Sequence, residues 1–154
     1  MADYLLDTTV IIDCLRGENE AVGFMESIAS EGSLAGCCLI NIIEVYAGMK
    51  DKEKSATRKL LDSLEYYQVT RELAERAGDY KRYYAKRGIT LSLADVTIAA
   101  VAIGKNLILA TDNPKHYPMP EISLKQINTR QGILHAANRW RKIRTLDTTN
   151  RRSP

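Results

Sequence analysis

Apolar and polar positions fall into blocks along the chain, and the blocks predict strands and helices in alternation. Tyr4 to Leu6 is a short apolar strand that runs into Asp7, after which Thr8 and Thr9 lead into Val10, Ile11, Ile12, Cys14 and Leu15 at helical spacing, ended by Gly17. Glu18 to Glu31 repeats the helical period with Ala21, Phe24, Met25 and Ile28 on one face, and Gly32 closes it. Leu34 to Leu39 reads as a second buried strand. Asn41 then opens a helix with Glu44 three residues later, the spacing of a capping box. Met49 to Lys54 is a charged connection, and Ser55 to Leu64 is a helix with Leu60, Leu61 and Leu64 inward. Glu65 to Val69 alternates as a third strand. Thr70 caps a helix running to about Arg87, apolar along Leu73, Ala77, Tyr80 and Tyr84 and stopped at Gly88.

The stretch from Thr90 to Asn113 stands apart, because Asp95 is the only charged side chain between Leu91 and Ile103. On a helix Asp95 shares a face with Ile98, Ala99 and Ala102, a face that should be buried. Gly104, Lys105 and Asn106 end that helix, and Leu107 to Ala110 is a strand leading into Thr111, Asp112 and Asn113. Pro114 to Pro120 is a loop, and Ile122 to Ile127 is a last edge strand. Alternating strands and helices imply an α/β fold, a mainly parallel sheet covered by helices.

A chain of 154 residues with 45% hydrophobic and 27% charged residues has the size and composition of one folded domain with a core. No apolar run approaches the ~20 residues that span a bilayer, and Asp3 stands where a signal peptide would be basic. A cytoplasmic protein without a membrane segment is the expectation. The three cysteines, Cys14, Cys37 and Cys38, lack zinc-ligand spacing and read as buried thiols. The net charge of +3 is uneven: residues 130–154 hold seven Arg and Lys against the single acid Asp147. This divides the chain into a mildly acidic body, residues 1–129, and a basic extension, residues 130–154, suited to a polyanion or to a solvated end. The extension could be helical, with Ile133, Ala137, Trp140 and Arg144 in one stripe.

Three acids, Asp7, Glu44 and Asp95, fall just after strands or in first helical turns, and Thr111, Asp112 and Asn113 close another strand. In an open parallel sheet those places lie along one edge, outside the carboxyl ends of the strands, where ligands bind. Capping alone would account for some of this, since Ser92 and Asp95 also have capping-box spacing. The apolar neighbours of each acid argue for more than caps. Two carboxylates about 5 Å apart repel by roughly 3 kcal/mol at an effective dielectric near 20, so a cluster needs a divalent cation. Mg²⁺ takes oxygen ligands and stabilises charge on a phosphodiester during hydrolysis, with no Ser or Cys nucleophile required. His116 and His135 lack ligand spacing and read as structural or surface residues.

Four blocks, DTTVIIDCLRG from Asp7, INIIEVYAGM from Ile40, SLADVTIAA from Ser92 and LILATDNPKHYP from Leu107, closely resemble the conserved blocks of PIN-domain ribonucleases, the VapC toxins of prokaryotic toxin-antitoxin pairs in particular. The resemblance spans about residues 3–128. It implies a three-layer α/β/α sandwich and an endoribonuclease dependent on Mg²⁺ or Mn²⁺, commonly homodimeric and held inactive by a cognate antitoxin protein, with RNA as substrate. Asp7 and Asp95 match the principal metal-binding acids and Glu44 the middle one. Thr9 stands where many members have Asn or Ser and would orient Asp7. Near the threonine Thr111, the fourth acidic position falls to Asn113 by spacing or to Asp112 by charge.

Two other readings compete. A PIN-like module could bind RNA or protein without cleaving, although all three core acids are present. A phosphoryl-transfer domain of another α/β family fits poorly: a haloacid-dehalogenase-type phosphatase needs an Asp where Thr9 stands, and a receiver domain needs paired acids at the first strand.

Overall fold

The computed structural model describes residues 2–128. Five strands, β1 (Tyr4–Leu6), β2 (Ala35–Cys38), β3 (Glu65–Tyr67), β4 (Ile108–Thr111) and β5 (Ser123–Gln126), form one sheet in the order β3-β2-β1-β4-β5, parallel throughout. The expected sheet was mainly parallel; every pairing here is. Six helices join the strands: α1 (Thr8–Leu15), α2 (Asn19–Glu31), α3 (Leu39–Gly48), α4 (Lys54–Ser63), α5 (Arg71–Ala85) and α6 (Leu93–Gly104). Single 3-10 turns occupy Asp51–Glu53 and Pro114–His116.

Strand side chains alternate between faces, so consecutive residues feed two cores. Leu5, Cys38 and Leu109 point to one side, where they meet Leu73, Ala77 and Tyr84 of α5 and the buried run Val96 to Ala102 of α6. Leu6, Cys37 and Ala110 point to the other, against Val10 and Ile11 of α1 and Val45 of α3, with Phe24, Met25, Leu60 and Leu61 partly buried beside them. The result is three layers, helices on both faces of the sheet. Each fully buried Leu or Ile contributes about 1.5–3 kcal/mol, and the central strands β1 and β4 carry most of them. The edge strands β3 and β5 are largely exposed. Cys37 and Cys38 are buried free thiols; burial lifts the Cys37 thiol to about 11, which keeps it protonated and inert.

The element ends differ from the sequence reading at one consequential place. α3 starts at Leu39, with Cys38 at the cap, and Asn41 is its third residue rather than its opening one. The Asn41 side-chain carbonyl accepts from the Cys38 backbone N–H at 2.8 Å, so the capping box lies three residues earlier than the Asn41 and Glu44 spacing suggested. Glu44 is thereby the sixth helical residue and has no capping duty. The basic extension and its Trp140 stripe lie outside the described residues. Among the described residues no helix is long and apolar enough to cross a membrane.

Candidate active site at the carboxyl edge of the sheet

The chain runs from β1 out through β2 to β3 and then returns to place β4 on the opposite side of β1. The crevice between β1 and β4 is therefore the topological switch point, the place where an open parallel sheet presents its ligand site. Asp7 lies at its floor. It follows β1, its backbone N–H reaches the Ala110 carbonyl at 2.9 Å, and it is only 7% exposed. Its carboxylate accepts from the Thr8 backbone N–H at 2.8 Å and from the Thr111 hydroxyl at 2.7 Å, so both oxygens are held. Burial pushes its pKa above the usual carboxylate range; the hydroxyls of Thr111 and Tyr117 pull it back, and the charge of Asp95 raises it further. Asp7 is thus a buried carboxylate influenced by hydroxyls and by a like charge.

Asp95 enters from the first turn of α6, with its side chain 19% exposed. Only the serine half of the predicted capping box bears on the backbone here: Ser92 accepts from the Asp95 N–H at 3.0 Å. The carboxylate turns instead to the turn after β4, where the Tyr117 hydroxyl donates at 3.4 Å and His116 Nδ1 stands 3.4 Å from the other oxygen. Burial, and then the neighbouring charges of Asp7 and Asp95, drive the Tyr117 phenol pKa far up. The segment after β1 and the first turn of α6 are therefore joined through one turn, which meets Asp7 by the Thr111 hydroxyl and Asp95 by the Tyr117 hydroxyl.

Glu44 reaches the same edge through a threonine. Thr8 donates to Glu44 Oε1 at 2.7 Å, and the fully buried Asn41 donates to both Thr8 Oγ1 and the Leu6 carbonyl at 3.1 Å. Thr9, expected to orient Asp7, does not: one residue along a helix is a 100° turn, and its hydroxyl goes to Asp112 at 2.7 Å. Asp112 also raises Asp13 of α1, whose pKa is lifted to about 6 by burial first and by that neighbouring charge second. Asn113 turns its amide to His116 Nε2 at 2.8 Å, while its backbone N–H meets Thr111 Oγ1 at 3.0 Å. The two candidates for the fourth acidic position thus point to different neighbours, Asp112 to α1 and Asn113 to His116.

The structure brings Asp7 and Asp95 onto one turn, through Thr111 and Tyr117, and ties Glu44 to Thr8, the residue after Asp7. Among the described residues no three acids, histidines or cysteines are gathered closely enough to hold an ion between them. Two carboxylates suffice for Mg²⁺, which keeps several waters and takes substrate phosphate for the rest of its shell. The donor set of Asp7 and Asp95, all oxygen and with one member buried, fits such an ion. The sequence reading missed Thr8, Asn41, Asp13, His116 and Tyr117. The HY pair after the TDNP turn was visible, yet nothing local marked its contact with residue 95.

A PIN domain profile matches residues 4–121. The chain is 36% identical over 117 residues to ribonuclease VapC10 of Mycobacterium tuberculosis, covering 76% of this chain and 87% of that one. Among solved structures, a toxin-antitoxin complex from Klebsiella pneumoniae matches with a TM-score of 0.64 at 27% identity, over 78% of this chain and 95% of that one. A DNA-bound VapBC from Salmonella typhimurium matches with a TM-score of 0.70 at 20% identity, over 82% and 98%.

Proposed function

The chain belongs to the PIN-domain family, and from that premise we propose that it is a divalent-metal-dependent endoribonuclease, the toxin member of a toxin-antitoxin pair. The observation that carries the reading is the convergence of Asp7 and Asp95 on one turn at the switch point of the sheet, Asp7 through the Thr111 hydroxyl and Asp95 through the Tyr117 hydroxyl. VapC10, a relative across most of both chains, is named a ribonuclease, which supports RNA as the substrate. Asp7 and Asp95 would hold Mg²⁺ or Mn²⁺, with Glu44 of α3 tied to the residue after Asp7 through the Thr8 hydroxyl. When bound, the ion lowers the pKa of a water and neutralises charge developing on the phosphodiester. The protein's own share is positional. Thr111 and the Thr8 N–H fix the Asp7 carboxylate, while Asn41 and Thr8 fix Glu44.

Partner proteins are supported by the surface around the acids. Leu39, Ile43 and Tyr46 are exposed along one side of α3, and Leu93, 68% exposed, sits two residues before Asp95. Apolar side chains beside a charged site suit coverage by an antitoxin or by a second copy of the chain. The Klebsiella relative in the comparison is a toxin-antitoxin complex, in keeping with the first. We place the nuclease unit in residues 1–129 and leave residues 130–154 as a basic extension.

The alternative is a PIN-like module that binds without cleaving, and the absence of a three-acid cluster among the described residues is the observation in its favour. One assay separates the two. The purified chain is expected to cut single-stranded RNA with Mg²⁺ or Mn²⁺ and to stop in excess EDTA, with cutting restored by added metal. RNA binding without any cleavage in either metal would select the alternative.

A further inference from the structure

The turn after β4 makes contacts that a fourth acidic ligand would not explain. Thr111 donates to Asp7 while accepting from the Asn113 N–H, so the turn begins anchored to one acid. Pro114 restricts the backbone at the next step, and two backbone bonds, His116 N–H to the Asn113 carbonyl and Tyr117 N–H to the Pro114 carbonyl, both 3.1 Å, close the turn. The turn then ends on the other acid. His116 Nδ1 and the Tyr117 hydroxyl each stand 3.4 Å from one oxygen of Asp95. Tyr117 is buried, and its hydroxyl, with a single proton to give, donates to Asp95. The Asn113 amide stands 2.8 Å from His116 Nε2, so the ring is held with its Nδ1 edge facing Asp95.

We propose that the Thr111-to-Tyr117 turn is a clamp that sets Asp95 against Asp7, with Tyr117 and His116 as positioning residues and Asn113 holding His116 rather than the ion. The side chains that orient ligating groups are half of a metal site, and losing one costs 10–100-fold in affinity. This rests on the proposed metal site at Asp7 and Asp95. It assigns a role to a buried tyrosine and a half-exposed histidine that the acids alone leave without one.

Tyr117→Phe keeps the ring that packs with Leu5, Val96 and Met119 and removes only the oxygen. Mn²⁺ titration by calorimetry on the full chain should show affinity lowered by about 10–100-fold. The metal concentration for half-maximal cleavage should rise in parallel, while KM for RNA and the rate at saturating metal stay within a few-fold. His116→Ala should weaken Mn²⁺ binding too, and His116→Gln, which keeps a polar side chain beside Asp95, should recover part of it. Melting curves without metal accompany each variant. Wild-type Mn²⁺ affinity in Tyr117→Phe, or a loss that simply follows a lowered melting temperature, overturns the clamp. The calorimetry needs no RNA, so the two readings fail separately. A wild-type chain that binds Mn²⁺ without cutting RNA defeats the nuclease and spares the clamp, whereas a wild-type chain that binds no Mn²⁺ defeats both.

Discussion

Asp95→Asn is expected to cut the rate of RNA cleavage by roughly 10³-fold, about 4 kcal/mol of transition-state stabilisation. The substitution keeps the shape and one oxygen of the side chain but removes the charge that would hold the ion beside Asp7. Stability should move the other way. Asp95 adds a like charge to a buried carboxylate already pushed up by burial, so the amide relieves repulsion at Asp7. The helix start is also spared, because Ser92 caps the Asp95 backbone N–H and not its side chain. Single-turnover cleavage at saturating metal, beside a thermal melt, reads both effects. An Asn variant that cuts like wild type removes Asp95 from the site, and one that melts far lower makes its role structural.

Asn41→Ala should produce the largest loss of stability, about 3–4 kcal/mol. The residue is fully buried and ties three parts of the site together: the Cys38 N–H at the end of β2, the Leu6 carbonyl at the end of β1, and the Thr8 hydroxyl that in turn holds Glu44. Truncation deprives each group of this partner in a place water does not reach, at about 1–3 kcal/mol for each group left unsatisfied. Against a typical domain stability of 5–15 kcal/mol, that is a large share. Urea unfolding measures it from the shift in midpoint. A change under about 1 kcal/mol would show that the pin is dispensable and that Glu44 is placed by other means.

Much of this architecture was legible because hydrophobic period is a local property. The run from Ile98 to Ala102, the capping Thr70 and the glycine stops at Gly17, Gly32 and Gly88 placed elements to within about two residues. The misreading at Asn41 arose because capping-box spacing fits two registers, Cys38 with Asn41 or Asn41 with Glu44. Cysteine is a poor enough cap to hide the true one. Thr9 was assigned to Asp7 through the family resemblance, whereas the helical turn sends Thr8 and Thr9 to different acids. His116 and Tyr117 meet Asp95 across 21 and 22 residues, through a strand and a turn, and no short motif encodes that contact. The strand order that puts β4 beside β1 is equally non-local, and it decides which acids can meet.

Asp7 and Asp95 are proposed to share one ion at the switch point. Diffraction from crystals of the full chain grown with Mn²⁺, recorded at a wavelength where manganese scatters anomalously, addresses it directly. The expected result is an anomalous peak with one oxygen of Asp7 and one of Asp95 at roughly 2.0–2.3 Å, and waters completing the shell. A peak between Asp13 and Asp112 instead, or none at saturating Mn²⁺, would contradict it.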